Sequence, residues 1–207
     1  MARPRLSEGR DTRRALLDAG LEMFAEKGYF GTTLREIARA VGVRESALYH
    51  YFPGKDALFS AILEDQTGAS TQLTRLLDEP IDDVRAFLHR IGKRILDHFS
   101  TLKQRRLHRI IMSDGMRLAA AGRINLLERM GAGAAAFTQL IARLVADGHL
   151  RKAPAELLAI EFMAPLMTWR HMLATLPAHP AVSDPEAFVQ AHVDHFLTGA
   201  RAARTSK

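Results

Sequence analysis

Five residues close together near the N-terminal end of this sequence carry the hydrogen-bonding and methyl groups that the edges of DNA bases recognise. Arg44 can pair bidentately with guanine, Glu45 can accept a hydrogen bond from cytosine, and Ala47 can contact the methyl group of thymine. Ser46 and His50 add further hydrogen-bonding groups in the same stretch. The residue types leave open which of the five would read a base, and their chemistry suits a surface that contacts nucleic acid.

Two short predicted helices around a glycine must position that stretch. Thr33 and Glu36 fit a capping box, in which each side chain accepts a hydrogen bond from a free backbone N–H at the start of a helix. Gly42 allows a tight turn after this helix, and a second short helix is predicted to begin at Val43 and to end near Phe52, just before a proline. A short helix, a glycine turn and a second short helix predict a helix-turn-helix, whose second helix fits the major groove.

Longer amphipathic helices are predicted on both sides of this motif. The first runs from about Arg10 to Lys27, and Gly28 suits a left-handed C-terminal cap. A fourth helix begins at about Lys55, and the polar stretch after it, residues 66–71, is interpreted as a bend. No segment alternates as a strand would, so the fold class is predicted to be all-α. Proline and glycine positions predict further helices at about 82–100, 103–113, 122–147, 154–176 and 185–203.

The charge balance favours a polyanionic partner. The chain has 207 residues and a formal net charge of +6. Residues 1–55 contain ten Lys or Arg against seven Asp or Glu, which is half of that excess. Nucleic acid and an acidic membrane surface are the two partners that such a balance suits.

Composition and spacing exclude several classes of function. With no cysteine, the chain has no disulfide, no thiolate nucleophile and no cysteine-ligated metal. The nine histidines lack metal-ligand spacing, and neither a glycine-rich phosphate loop nor G-x-S-x-G is present, so we predict no metal, no cofactor and no enzyme. No apolar run reaches the roughly 18 residues of a membrane span, and the N-terminus lacks the apolar core of a signal peptide. We therefore expect a cytoplasmic protein without a membrane partner.

The helix-turn-helix also resembles a known family. The residues that carry the resemblance are Ile37-Ala38, then Val41-Gly42-Val43, then Leu48-Tyr49-x-Tyr51-Phe52-x-x-Lys55. This pattern resembles the signature of tetracycline-repressor-type (TetR family) regulators over roughly residues 10–63. The resemblance implies an N-terminal three-helix DNA-binding domain over residues 1–55, with a flexible basic arm at its start. It also implies a larger C-terminal helical domain over residues 56–207 for ligand binding and dimerisation.

The resemblance implies roles for individual residues. The helix from about Arg44 to Tyr51 is the expected recognition helix, and Tyr49, Tyr51 and Lys55 stand at positions that contact DNA phosphates. A phenol and an ammonium group at such positions can hold backbone oxygens without reading sequence. Thr33 offers a hydroxyl and helix N-terminal amides to another phosphate. The sequence departs from the family pattern at residues 44 and 46, where a capping Ser or Thr and a Gly are common, and Arg44 has no side-chain oxygen to form that cap.

The resemblance further implies a homodimeric repressor that binds palindromic operator DNA and is released by a small-molecule inducer. The sequence does not identify the chemical class of this inducer. The expected apolar lining of the inducer pocket is Phe87, Phe99, Met112, Met116, Phe137, Met163, Met167 and Trp169. The expected dimer seam on the last two long helices is Leu157, Leu158, Phe162, Leu166, Phe188, Val189, His192 and Phe196.

Other interpretations remain open. Met and aromatic residues at helical spacing form ordinary core more often than a pocket, and part of the seam must be intramolecular core. Tyr49 could likewise be a core aromatic, and Lys55 could belong to a solvated face, although the spacing of the whole motif favours contacts to DNA. The alternative function is a constitutive helix-turn-helix module without an inducer.

Overall fold

The computed structural model describes the backbone of residues 6–65 and 80–200, and the side chains of residues 11–65, 80–125 and 133–200. Helices dominate these residues and no β-strand occurs among them, which confirms the all-α fold class. The predicted basic arm before residue 6, the predicted bend at residues 66–71 and the last turn of the helix expected to reach residue 203 lie outside the described residues.

Four helices form the N-terminal part of the chain: α1 (Leu6–Lys27), α2 (Leu34–Val41), α3 (Glu45–Tyr51) and α4 (Lys55–Asp65). The short helices α2 and α3 stay folded because each buries an apolar face against its neighbours. Their buried side chains, Ile37 and Leu48, join Phe24 of α1 and Phe59 of α4 in one core. Burying each of these side chains contributes about 1.5–3 kcal/mol.

The predicted capping box is present at the start of α2. The Glu36 amide donates to the Thr33 hydroxyl oxygen at 3.2 Å, and the Glu36 carboxylate accepts from the Thr33 amide at 2.8 Å. The other carboxylate oxygen of Glu36 accepts from the Lys27 ammonium at 2.9 Å. This carboxylate therefore fixes the start of α2 and ties it to the end of α1.

Gly42 makes the turn between α2 and α3 in the left-handed region, with φ of 77°. Its amide and that of Val43 return to carbonyl groups in the last turn of α2. A Cβ atom at this φ is strained, so glycine suits the position. The next helix begins after Arg44, which makes no side-chain cap hydrogen bond, as its lack of an oxygen predicted.

A second stretch of chain, residues 106–129, belongs to the same compact unit as residues 6–65. It contains the second half of α6 (Leu102–Ile110), the helix that follows α5 (Val84–Ser100) in the chain. A π-helical turn (Ile111–Gly115) and α7 (Met116–Ala120) come after α6. Its buried side chains join the core of the first four helices, and they are Leu107, Ile110, Ile111, Leu118 and Ile124. The predicted domain boundary after residue 55 therefore differs from the structure, because α4 and this stretch bury their apolar faces in the first unit.

The second unit is built by residues 80–105 and 130–200. Its helices are α5 (Val84–Ser100), which directly precedes α6 in the chain, α8 (Leu126–Ala146), α9 (Ala155–Thr175), a 3₁₀ turn (Pro180–Val182) and α10 (Pro185–Ala200). The helix predicted over 122–147 begins only at Leu126, because the chain passes through Gly122 at φ 69° after α7. At Gly92 in α5, an added Cβ would lie 2.9 Å from Val189 of α10, so a small residue is needed where these helices pack.

Replacing Gly42 by alanine should destabilise the protein by about 1 kcal/mol, because alanine resists the left-handed φ that this turn requires. The matched control is Gly54→Ala in the same unit, where the added Cβ meets no atom within 4 Å and φ is not positive. Urea unfolding curves compare the two. An equal loss of unfolding free energy in both variants would contradict the assignment of strain to Gly42.

The capping carboxylate should make stability depend on acid. The Lys27 ammonium and the Thr33 amide and hydroxyl lower the pKa of Glu36 from 4.5 to about 2. A lowered pKa contributes stability that is present above the ordinary value and is lost as pH falls towards 2. Glu36→Gln should therefore be less stable than the parent at pH 7, and the difference should shrink between pH 5 and pH 2.

Thermal unfolding measured across that pH range tests the effect, with Glu26→Gln on the exposed surface of α1 as the charge-matched control. A difference between Glu36→Gln and the parent that stays constant with pH would exclude the ionised cap as its source.

Candidate nucleic-acid interface and regulatory unit

The outward face of α3 presents the side chains that the sequence predicted for base contact. Arg44, Glu45, Ser46 and His50 are exposed and Ala47 is half-buried. The inward face carries Leu48 and Phe52, which are fully buried. The helix therefore divides as expected, with its apolar side in the core and a mixed polar side turned to solvent.

The two tyrosines of α3 differ in exposure. Tyr49 is 48% exposed, so its hydroxyl is available to a partner. Tyr51 is half-buried and packs its ring 5.5 Å from His50 and 6.4 Å from Phe52. The guanidinium group of Arg13, from α1, lies 5.5 Å from the Phe52 ring and adds a cation beside the end of α3. Sequence reasoning counted Arg13 only as part of the basic excess.

Thr33 is exposed at the start of α2, and its hydroxyl already has an acceptor. The hydroxyl donates to the Glu36 carboxylate at 2.8 Å while it caps the helix. A phosphate that accepted from this hydroxyl would have to replace Glu36 as its acceptor. The structure thus adds a competing carboxylate to a position that the sequence treated as a free donor.

Lys55 is largely engaged within the protein. Its ammonium donates to the backbone carbonyls of Tyr29 and Thr32, both at 2.8 Å, and lies 4.4 Å from the centre of the Tyr29 ring. Burial lowers its pKa. Since an ammonium has three N–H donors, these two bonds leave one for a phosphate. Lys55 therefore links the start of α4 to the connection between α1 and α2.

A polar network surrounds the Tyr29 side chain beside Lys55. The Tyr29 hydroxyl donates to Asp56 in the first turn of α4, and Arg123 donates to the same carboxylate at 3.0 and 3.1 Å. Arg123 also donates to the Tyr29 hydroxyl oxygen at 3.1 Å. The backbone amide of Tyr29 donates to Asp114 at 2.6 Å. Burial and the Asp56 carboxylate raise the pKa of Tyr29, so its hydroxyl keeps its proton.

Sequence reasoning missed this network. Neither Asp114 nor Arg123 was predicted to contact the connection between α1 and α2. The two residues are 85 and 94 positions from Tyr29. No local pattern connects such distant positions, so only a signal of long-range proximity could have identified them.

The residues predicted to line a ligand pocket fall into two groups. Six of them belong to or pack against the core of the second unit, and these are Phe87, Phe99, Phe137, Met163, Met167 and Trp169. Met112 and Met116 lie in the first unit and are more than half exposed. The predicted lining is therefore not a single set, because Met112 and Met116 are outside the hydrophobic core that holds the other six.

Three buried side-chain N–H donors of the second unit have no hydrogen-bond acceptor among the described residues, and they belong to Arg105, Trp169 and Arg170. Trp169 is only 2% exposed, and its buried indole N–H has no acceptor in the part of the chain that the structure describes. The Nε atom of Arg170 is also buried and unpartnered, while its guanidinium group lies 4.6 Å from the Phe99 ring. Burial lowers the pKa of Arg170 to about 10. Buried donors of this kind favour an acceptor or an anion brought in from outside.

Most of the predicted dimer seam is covered by the chain itself. Leu158, Phe162, Leu166, Val189, His192 and Phe196 are buried within the second unit, and Phe188 packs against the same core. The His192 ring bonds the Phe162 carbonyl at 2.8 Å. These faces of α9 and α10 are therefore intramolecular core, which corrects the expectation. Two large apolar side chains are exposed on α9, and they are Leu157 and Ile160, at 47% and 64% exposure.

Neither a metal site nor a membrane-spanning helix occurs among the described residues. They contain no group of three or more His, Asp or Glu residues arranged to hold a metal ion. None of their helices combines the length and apolar character required to cross a membrane.

Two family models match the chain. Residues 16–62 match the N-terminal model of the bacterial regulatory proteins of the tetR family. Residues 86–199 match the model described as the C-terminal domain of AefR-like transcriptional repressors. The second match alone covers more than half of the chain.

Curated relatives are similar over part of their length. The HTH-type transcriptional regulator AcrR of Shigella flexneri is 44% identical over 64 residues, which is 31% of this chain and 30% of AcrR. The regulator UidR of Escherichia coli K12 is 30% identical over 112 residues, which is 54% of this chain and 55% of UidR. The chain thus spans at most about half the length of these two relatives.

Solved structures are similar over almost the whole chain. A TetR-family regulator from Mesorhizobium loti has a TM-score of 0.77 at 21% identity and covers 94% of this chain and 98% of its own. NalD of Pseudomonas aeruginosa, the secondary repressor of the MexAB-OprM multidrug efflux pump, has a TM-score of 0.72 at 25% identity, with coverages of 97% and 100%. SmeT in complex with triclosan has a TM-score of 0.72 at 22% identity, with coverages of 95% and 95%. With both family models matched and the helix-turn-helix in place, the chain belongs to the TetR family of bacterial regulatory proteins.

Proposed function

We propose that the chain is a homodimeric transcriptional repressor that binds a palindromic operator through α3 and leaves it when a small molecule binds the second unit. The observation that carries the proposal is the outward face of α3, where four exposed polar residues stand on a helix anchored by Leu48 and Phe52. A single helix of this kind fits the major groove, and its polar side chains reach base edges there.

The phosphate contacts would flank this helix. Tyr49 is exposed, Tyr51 is half-buried, and Lys55 retains one donor beyond its two backbone acceptors. Thr33 would add a contact at the start of α2 if a phosphate replaced Glu36. Contacts of this type fix the register of a protein on DNA and leave the choice of sequence to the base-reading face.

The exposed stripe on α9 supports a dimer. Leu157, Ile160 and Ala164 recur at intervals of three and four residues, so they share one face of the helix. On α10, Ala187 and Ala191 are exposed on one face, and their small side chains permit close approach of another helix. We propose that a second copy covers these two faces. A two-fold dimer would present two copies of α3 to half-sites about 34 Å apart.

The proposed ligand site belongs to the second unit. Its supporting observation is the pair of buried donors on Trp169 and Arg170, which an acceptor on a bound molecule would satisfy. SmeT, which shares the fold, is known in complex with triclosan. A ligand releases DNA only if it binds better to the conformation that cannot span two half-sites. A constitutive helix-turn-helix module remains the alternative function.

The test of the proposal is a selection of bound duplexes from a random DNA pool, followed by salt-dependent titration of the selected duplex against scrambled DNA. A palindrome bound about 10³-fold more tightly than scrambled DNA would support a sequence-specific dimer. Equal binding to both would refute it. Repeating the titration with a panel of small molecules separates the alternatives, because a constitutive module keeps its affinity in the presence of every compound.

Tyr49→Phe should weaken operator binding about tenfold or more, because a hydrogen bond to a charged phosphate contributes about 1.5–3 kcal/mol, and the loss should be equal for all operator variants. Its salt dependence should not change, because no charge is lost.

Arg44→Ala should instead relax the preference at one base position if Arg44 reads guanine. Titrations against single-base operator variants at several salt concentrations distinguish the two effects.

Arg39→Ala on the exposed surface of α2 is the control, since it removes the same charge as Arg44→Ala without altering α3. Unchanged affinity of Tyr49→Phe, or a uniform loss in Arg44→Ala that matches Arg39→Ala, would remove the corresponding residue from the proposed interface.

Ile160→Glu should convert the dimer to a monomer, because it places a charge in the centre of the proposed apolar interface. Sedimentation velocity measures the change in mass. Leu102→Glu is the control, since Leu102 is 55% exposed on a different helix and should leave the dimer intact. A dimer that survives Ile160→Glu would place the interface elsewhere.

A further inference from the structure

The connection between α1 and α2 is bound by two residues that lie far outside the helix-turn-helix in sequence. We propose that Asp114 and Arg123 are positioning residues for DNA binding: they set the place of the Tyr29–Thr33 connection and of the start of α4. The proposal rests on the proposed function, because it concerns groups that would contact phosphate. It extends the DNA-binding machinery beyond residues 16–62, which match the family's N-terminal model.

Asp114 holds the backbone of the connection. Its carboxylate accepts from the Tyr29 amide at 2.6 Å, and the aspartate is buried. Gly28 allows this approach, since an added Cβ there would lie 3.1 Å from the same carboxylate oxygen and φ is 76°. The π-helical turn carries Asp114 and gives its helix a local register different from that of an α-helix. A buried, charge-assisted hydrogen bond of this length is among the strong kinds in proteins.

Arg123 holds the side chain of the connection. Its guanidinium group donates both to Asp56 and to the Tyr29 hydroxyl oxygen, while that hydroxyl donates to Asp56. Asp56 lies in the first turn of α4, so Arg123 joins the connection to that helix. The Nε and Nη2 groups of Arg123 both donate to the Oδ2 atom of Asp56. Two donors on one planar group fix orientation as well as distance.

These contacts converge on the groups that would bind phosphate. Lys55 donates to the carbonyls of Tyr29 and Thr32, so a displacement of the connection would also displace its ammonium group. Thr32 is buried and its hydroxyl returns to the Met23 and Gly28 carbonyls, which leaves the connection little freedom. Thr33, the next residue, caps α2. Loss of the Asp114 or Arg123 contact would therefore move both Lys55 and Thr33.

Long-range electrostatics and positioning predict opposite changes in DNA affinity for Asp114→Asn. Asp114→Asn removes a negative charge from the DNA-binding unit, so long-range electrostatics would tighten DNA binding. Positioning predicts a weaker complex, because the Tyr29 amide loses its ionised acceptor. The sign of the change thus separates the two effects.

The experiment measures the affinity of the full chain for its selected duplex, the salt slope and the fraction of active protein for the parent, Asp114→Asn and Arg123→Lys. We expect Asp114→Asn to bind about tenfold more weakly and its salt slope to fall by about 0.9, the value for one lost phosphate contact. Arg123→Lys keeps the charge but loses the paired donors, so a similar loss of affinity is expected. Asp97→Asn, which removes an exposed acid that pairs with Lys93, should bind at least as tightly as the parent.

The outcomes are separable. Partial unfolding lowers the active fraction without changing the salt slope, so it cannot imitate the positioning effect. Should Asp114→Asn fail to fold, Arg123→Lys still decides the question, because the Arg123 side chain is 42% exposed and tolerates exchange. Parental affinity and slope in the variants that fold would overturn this inference. Absence of specific binding by the parent would instead refute the proposed function.

Discussion

The first unit depends on the way Tyr29 is buried. Its ring lies in an aromatic cluster with Phe24 and Phe59, with ring centres 5.5 Å away in each case. Its amide, carbonyl and hydroxyl each have a charged partner in the same unit. Because a buried polar group without a partner costs about 1–3 kcal/mol, burial of this tyrosine requires all three partners together. The position of the connection between α1 and α2 is therefore fixed by Tyr29, whose ring packs in the core while its polar groups bind charged side chains.

A helix as short as α3 has little stability of its own. Its seven residues are fewer than the roughly 12–15 that an isolated helix needs, so its structure comes from packing. Leu48 and Phe52 supply that packing, and Arg44 supplies no side-chain cap. The residues on the outward face of α3 therefore contribute little to the stability of the helix. Their identities can be set by the groove they would face, with small effects on the stability of the fold.

The local features of the fold could be predicted from sequence. The capping box at Thr33, the left-handed turn at Gly42 and the inward side of α3 follow from residue types a few positions apart, and the structure has all three. The prediction of an all-α fold without strands followed from helical periodicity and is also confirmed over residues 6–65 and 80–200.

The errors have a common physical origin. Periodicity shows that one face of a helix is apolar, but it does not show which element covers that face. Phe162 and His192 were therefore assigned to a dimer seam although they pack within one chain. Lys55 was treated as a surface cation because its acceptors, two backbone carbonyls, carry no sequence signal. The partnership of Tyr29 with Asp114 and Arg123 joins positions too distant for any local pattern.

The two-part composition of the first unit has a consequence for biosynthesis. The chain emerges from the ribosome N-terminus first, and the helix-turn-helix is complete in sequence long before residues 107–124 appear. Until then Tyr29 has neither its Asp114 nor its Arg123 partner, and the core lacks Leu107, Ile110 and Leu118. Packing residues 107–124 against the first four helices closes a long loop. The entropy lost in this closure is offset only by the packing of the complete core. We therefore expect the nascent DNA-binding surface to mature late, once residues 107–124 have been made.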